Sequence, residues 1–407
     1  MGRPYTSGTV VSDWPQRQWV HQSISHRVSI VEPLQTPLFP LTRPSEKTIE
    51  TSLYNKTQAE MLHSRLRPLP RRHPLPNSED SAPRPEFDDP DTEADPEESS
   101  EDLFAAFLPH LFPDDAPSFH GDPGQHLLYS SPRYGDLEIM VPSYPTQTGK
   151  RSQEVAEGLP RPDGQVNHIE EGRKLFAHFL WSAAMVVAEA VEKADELEAS
   201  GQLKSTDELA MWRVRGERVL ELGAGAALPS VVCALAQAST VTATDHPSSP
   251  ALSGAIKFNL DHNLRSPKVS STSTTVTIQP HEWGTLETDP WAVQNKASFN
   301  RIVAADCYWM RSQHENLART MCWFLAPGGR VWVVAGFHTG RAIVAGFFET
   351  AVQAGLEIER IYERDLIAGQ EDGREVRREW VAQREGEGPE NRRRWCVVAL
   401  LKKKDDN

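Results

Sequence analysis

The chain has 407 residues, 43 Lys and Arg against 57 Asp and Glu, a net charge of −14, 38% hydrophobic residues and 31 prolines. Those figures describe a folded core diluted by unstructured chain. Residues 1–78 carry net +5, residues 79–102 hold 12 acidic residues and one arginine, and residues 103–407 carry net −8. An acidic folded part without a basic stripe argues against nucleic-acid binding. Cys233, Cys307, Cys322 and Cys396 form no CxxC pair and have no short His/Cys spacing, which argues against a disulfide framework or structural zinc and predicts no metal. No stretch approaches 18 consecutive apolar residues, and the start lacks a secretory pattern. The expectation is a monomeric cytoplasmic protein with no membrane association.

Residues 1–102 hold 14 of the prolines and end in the acidic run, so they read as a disordered tail that cannot bury enough apolar area to offset its ordering entropy. Such a tail is expected to be dispensable for ligand binding. Leu103, Phe104, Phe107, Leu108, Leu111 and Phe112 recur at helical spacing, and Gly/Pro-rich chain follows. Residues 103–165 read as an arm packing on the core. From 168, Leu175, Phe179, Val186 and Ala190 form one stripe, and Phe176, Leu180, Ala184, Val187 and Val191 form the next, predicting a buried helix.

Strands and helices then alternate. Strands are predicted at 218–222, 240–244, 272–279, 299–305, 330–337, 356–363 and 395–401, and helices at 229–238, 251–264, 312–325 and 341–354. A hairpin extension is expected around 375–381. Alternation of this kind predicts an α/β fold, a doubly wound, seven-strand, mostly parallel sheet over 166–401, with the ligand outside the carboxyl ends of its strands. Residues 402–407 read as a charged tail.

The first strand runs into Glu221-Leu222-Gly223-Ala224-Gly225. Glycines there let a ligand approach the backbone and reach free N–H donors. Asp245, ending the second strand, can accept both hydroxyls of a ribose. A dinucleotide and S-adenosylmethionine are equally served to this point. Leu228, however, stands where a pyrophosphate site wants a third glycine, and Glu221 is badly placed beside phosphates but well placed for an ammonium group. The pattern favours S-adenosylmethionine.

ELGAGAALPS, ATDHP, His281-Glu282-Trp283-Gly284, Ala304-Ala305-Asp306 and FLWSAA with Trp181 together resemble the class I seven-strand methyltransferases of methyltransferase family 16, and within it the fungal nicotinamide N-methyltransferase-like group. The resemblance covers about 103–401. It implies a Rossmann-like fold and S-adenosylmethionine as cofactor. It implies that Trp181 borders the cofactor, that Gly223, Ala224 and Gly225 form the glycine-rich turn, that Asp245 binds ribose, that Trp283 lies beside the adenine, and that Ala305 is a backbone contact before the fourth-strand acid. Asp306, Tyr308, Trp309 and His338 fall on the acceptor side, as catalytic residues. Trp309 departs from the usual aromatic of the acid-x-x-aromatic element. The implied activity is N-methylation of a protein lysine or N-terminal amine of the translation-factor class. A small pyridine acceptor such as nicotinamide and a catalytically silent cofactor-binding module are the alternatives. Bland roles stay open: Asp306 as a helix cap, Tyr308 and Trp309 as core or surface aromatics, His338 as a structural histidine and Cys307 as buried filler.

Overall fold

The computed structural model describes residues 62–69, 119–143, 179–265, 273–367 and 375–404. In chain order the strands, and the α-helices longer than five residues, are β1 (Leu66–Pro68), β2 (Phe119–His120), β3 (His126–Ser131), β4 (Gly135–Met140), β5 (Leu180–Trp181), α1 (Ser182–Ala199), β6 (Arg218–Glu221), α2 (Leu228–Leu235), β7 (Thr240–Asp245) and α3 (Ala255–Leu264). There follow β8 (Thr275–Pro280), β9 (Phe299–Ala305), α4 (His314–Phe324), β10 (Leu325–Gly336), α5 (Arg341–Gln353), β11 (Leu356–Asp365), β12 (Arg377–Arg378) and β13 (Trp395–Lys403). Among the described residues no helix is long and apolar enough to cross a membrane.

The central sheet has the order β12-β11-β13-β10-β9-β6-β7-β8. Seven of these strands are the expected ones, and β12, paired antiparallel with β11, is the extension expected near 375–381. Neighbours from β8 to β10 run parallel, and β13 runs antiparallel to both β10 and β11. Successive residues along a strand alternate their side chains between two cores. Val219 packs with α1, α2 and α3 residues such as Met185, Val231 and Leu260, whereas Leu220 packs with α4 and α5 residues such as Leu317 and Phe347. Burial on both faces explains the unbroken apolar run of β13, where the first seven residues are buried. Strand order steps from β6 to β7 to β8, then returns to β9 on the other side of β6. This reversal opens a crevice at the carboxyl ends of β6 and β9.

Two expectations need correction. The first is the unordered tail, since Leu62–Arg65 forms a 3-10 turn and β1 pairs antiparallel with β3. Arg65 drives this local order. Its guanidinium lies 3.3 Å from Glu189 and 3.2 Å from Glu192, two buried carboxylates of α1. Other residues of 1–102, and the apolar series 103–112, lie outside the described residues. The second concerns the helix expected from 168. It begins at Ser182, because Leu180 and Trp181 are extended and pair with His120 and Phe119. Strand pairing with a distant segment outweighs the helical spacing there. Leu175 and Phe176 lie outside the described residues.

The expected arm is represented by β2 and the β3–β4 hairpin. Two asparagines of α3 dock that hairpin by imitating a neighbouring strand. Asn259 accepts from Met140 N–H at 2.7 Å and donates to Met140 O at 2.9 Å. Asn263 accepts from Glu138 N–H at 3.1 Å and donates to Glu138 O at 2.9 Å. Asn259 also donates to Ala226 O at 2.7 Å, which links the hairpin to the turn after β6.

Candidate functional site

The turn from β6 to α2 is shaped by residues in left-handed backbone: Gly223 (φ +63°), Gly225 (φ +53°) and Ala227 (φ +52°). Such angles suit glycine. Gly223 is constrained by space as well, for a Cβ there would stand 3.0 Å from Cys307 Sγ and 3.2 Å from Trp283 Cζ2. A Cβ on Gly225 would meet nothing within 4 Å, so this glycine borders open space. The turn is tied to its neighbours: Leu222 N–H donates to Val303 O and Ala224 N–H to Thr244 O, both at 2.9 Å. Thr244 Oγ1 donates to Glu221 O at 2.7 Å.

Two acids flank the turn. Asp245 accepts from Gly225 N–H at 3.0 Å through Oδ2 and from His246 N–H at 2.7 Å through Oδ1. These bonds fix the carboxylate's plane, and burial raises its pKa above the ordinary value. Glu221 is 2% exposed, and its Oε2 accepts from Ser230 N–H at 3.0 Å and Ser230 Oγ–H at 2.5 Å. Burial pushes its carboxyl up to about 8.

Across the crevice, Asp306 follows β9 with φ +62°, an uncommon angle for aspartate. Its backbone N–H donates to Val334 O at 2.7 Å, and its Oδ2 accepts from Gly336 N–H at 3.0 Å. Burial raises the carboxyl above its ordinary value, while nearby His338 opposes the rise. Nδ1 of His338 lies 3.5 Å from Asp306 Oδ1, and its ring stacks on Trp181 at 4.4 Å and 28°.

One cavity gathers Trp181, Glu221, Gly223, Ala224, Gly225, Asp245, Trp283, Ala305, Asp306 and Trp309. His338 stands behind this wall, against both Trp181 and Asp306. Tyr308 does not reach the cavity. It is 1% exposed, donates its hydroxyl to Ala304 O at 2.9 Å and packs on Phe347 at 4.4 Å. The left-handed turn at Asp306 directs Tyr308 into the core and Trp309 to the cavity. Cys307 donates its thiol to Leu222 O at 3.1 Å, and burial pushes that thiol well above its ordinary pKa. This is filler chemistry, not that of a nucleophile.

The cavity is also lined by Phe179, His246, His281, Glu282, Met310 and Gln313, to which the sequence assigned no role in the site. The only signal for most of them was adjacency to a motif residue. His281, for instance, is held by Asp289 at 3.2 Å, a bond formed across a loop.

The lining contains four carboxylates, on Glu221, Asp245, Glu282 and Asp306, and among its described residues no Lys or Arg. Such a wall attracts cations and repels phosphates. The residues present therefore fit S-adenosylmethionine, which carries a sulfonium, an ammonium and a ribose. They do not fit a dinucleotide, whose pyrophosphate would face Glu221. Among the described residues no group of three or more His, Cys, Asp and Glu is arranged to hold a metal ion.

A family model described as lysine methyltransferase matches residues 161–353. A protein of Eremothecium gossypii named protein N-terminal and lysine N-methyltransferase EFM7 is 31% identical over 207 residues, covering 49% of this chain and 71% of that protein. The protein of the same name from Yarrowia lipolytica is 27% identical over 202 residues, 46% of this chain and 68% of that protein. A TehB-like S-adenosylmethionine-dependent methyltransferase from Corynebacterium glutamicum, of known structure, matches 54% of this chain and 98% of its own, at 17% identity and a TM-score of 0.31.

Proposed function

Since the chain belongs to the lysine methyltransferase family, we propose that the group it methylates is a primary amine of a protein, a lysine side chain or an N-terminal α-amine. The chain is an S-adenosylmethionine-dependent N-methyltransferase. The observation that carries the acceptor reading is the charge of the cavity: beyond the two carboxylates that suit the cofactor, Glu221 and Asp245, it holds Glu282 and Asp306, with no Lys or Arg among its described lining residues. An acceptor that arrives as a cation is drawn to that wall, and a nucleic acid is repelled by it. The relatives named above act on N-terminal and lysine amines by their names, and the matched segment contains every residue that lines the cavity.

S-adenosylmethionine supplies a methyl group on a sulfonium, already a good leaving group. The residues that would hold it are Asp245 for the ribose hydroxyls, Glu221 for the positively charged end, the 223–225 turn and Ala305 for backbone contact, and Trp283 for the adenine. What remains for the chain is to hold a neutral nitrogen in line. Positioning of this kind can supply ~7–11 kcal/mol of barrier reduction. An ammonium must first lose its proton. Trp181 and Trp309 offer apolar faces that strip water from the cation and so lower its pKa. Asp306, its carboxyl raised by burial, is a better proton acceptor than a surface carboxylate and lies on the same wall.

The test is incorporation of labelled methyl from S-adenosylmethionine into a fungal lysate, separated into macromolecules and metabolites. Label on protein that acid hydrolysis releases as methylated lysine or as an N-methylated terminal residue is expected. Label confined to small metabolites would instead identify a pyridine-type acceptor and overturn this reading.

A further inference from the structure

Phe119 is a large apolar residue left 38% exposed, yet it is held firmly. Its strand, β2, pairs with β5, in register with Trp181. Its ring lies 4.2 Å from Phe179 and 5.7 Å from Trp181. The next residue, His120, places Nε2 2.9 Å from Ser182 Oγ, so the strand is anchored by a side chain as well as by backbone. From Trp181 the rings continue to His338 at 4.4 Å, and His338 meets Asp306 at 3.5 Å. Phe119, Phe179, Trp181 and His338 thus form a row leading from the surface to the buried carboxylate. Phe179 and Trp181 line the cavity, whereas Phe119 lies beyond it and outside the segment that the family model matches.

We propose that Phe119 is the outer wall of the acceptor entrance, and that its occupant is the positively charged polypeptide segment flanking the target amine. This rests on the protein-acceptor reading of the preceding section and deepens it. The charge argument is complementarity: with Glu221 and Asp245 assigned to the cofactor, Glu282 and Asp306 remain, and a described lining without Lys or Arg favours a basic segment over an acidic one. The geometric argument is continuity, because the row of rings runs from exposed Phe119 through the lining residues Phe179 and Trp181 to the acceptor wall. Aromatic faces take up both apolar side chains and the cations of Lys and Arg. A small acceptor would sit wholly inside the cavity and gain nothing from Phe119, whereas a chain extending past the amine must cross it.

The experiment compares wild type, Phe119→Ala and Phe119→Tyr, using the protein fraction of a Yarrowia lipolytica lysate as acceptor at a series of dilutions. The half-saturating protein concentration should rise about 10-fold in Phe119→Ala. The plateau rate and S-adenosylmethionine affinity should stay at wild-type level. Phe119→Tyr, which keeps the ring, should restore half-saturation. An unchanged half-saturation in Phe119→Ala overturns the proposal, as does a lower plateau rate without a change in half-saturation. If wild type labels no protein at all, the acceptor reading falls and this proposal with it. If wild type labels protein and Phe119→Ala does so with equal affinity, only this proposal falls.

Discussion

Arg65→Ala tests whether residues 62–69 belong to the fold. The Arg65 side chain is 8% exposed and faces Glu189 and Glu192, exposed by 3% and 4%. Glu189 keeps other partners, Arg364 and Lys193. Burial pushes its carboxyl up, but Arg364, Lys193 and Arg65 together hold it down at about 2. Glu192 is less well served, and burial pushes it up to about 7 against the pull of Arg65. Removing one partner of a buried pair costs about 3–5 kcal/mol, because the remaining charge is uncompensated. With Glu189 still paired, about 3 kcal/mol at pH 8 is expected from that range. A raised folded-state pKa means that the stability linked to Glu192 is complete below the ordinary carboxylate value and is lost as pH rises through about 7. Loss of Arg65 moves that pKa still higher and prolongs the loss. The deficit of Arg65→Ala should therefore be larger at pH 8 than at pH 6, where Glu192 accepts a proton instead of remaining a bare charge. Urea unfolding at both pH values measures it, and Arg65→Ala/Glu192→Gln should recover part of the loss at pH 8. A variant within about 0.5 kcal/mol of wild type at both pH values, the range for surface substitutions, would refute the reasoning.

Three further outcomes follow from the cavity. Asp245→Ala should weaken S-adenosylmethionine binding by roughly 1.5–3 kcal/mol, the range for losing hydrogen bonds to a charged group, as read by calorimetric titration; unchanged affinity in a folded variant would contradict the ribose assignment. Because Glu221 is held up at about 8 by burial, and a cationic ligand favours its ionised form, affinity should increase as pH rises from 6.5 through 8. Glu221→Gln should flatten the part of that dependence that belongs to the protein, leaving the part due to the ligand's own amine. Tyr308→Phe should cost about 0.5–1.5 kcal/mol of stability for the hydroxyl's bond to Ala304 O and leave the rate of methyl transfer unchanged, whereas Asp306→Asn should lower that rate; a large rate loss in Tyr308→Phe would return the tyrosine to the site.

The sheet was legible because its strands are apolar runs separated by helical spacing, and because the turn at Gly223 and Gly225 has both a steric and a chemical signature. Trp181, Asp245, Trp283 and Asp306 were legible as parts of short motifs, and they do share one cavity wall. Local patterns do not record partners that are distant in sequence. Arg65 meets α1 residues more than a hundred positions away, and its prolines and charges made that segment look like tail. Leu180 fitted a helical stripe, yet pairing with His120 draws it into a strand. Tyr308 and Trp309 are neighbours with opposite fates, and the left-handed angle at Asp306 that separates them has no sequence signal. A prediction that 1–102 is dispensable therefore applies only up to the residues preceding Leu62.

Calorimetric titration of the full chain with S-adenosylmethionine and, separately, with NAD tests the account most directly. One molecule of the sulfonium should bind per chain, with NAD producing no comparable heat and Asp245→Ala weakening only the former. Equal binding of both ligands, or of NAD alone, would mean that the bend after β6 was built for a pyrophosphate and that its acidic wall has been misread.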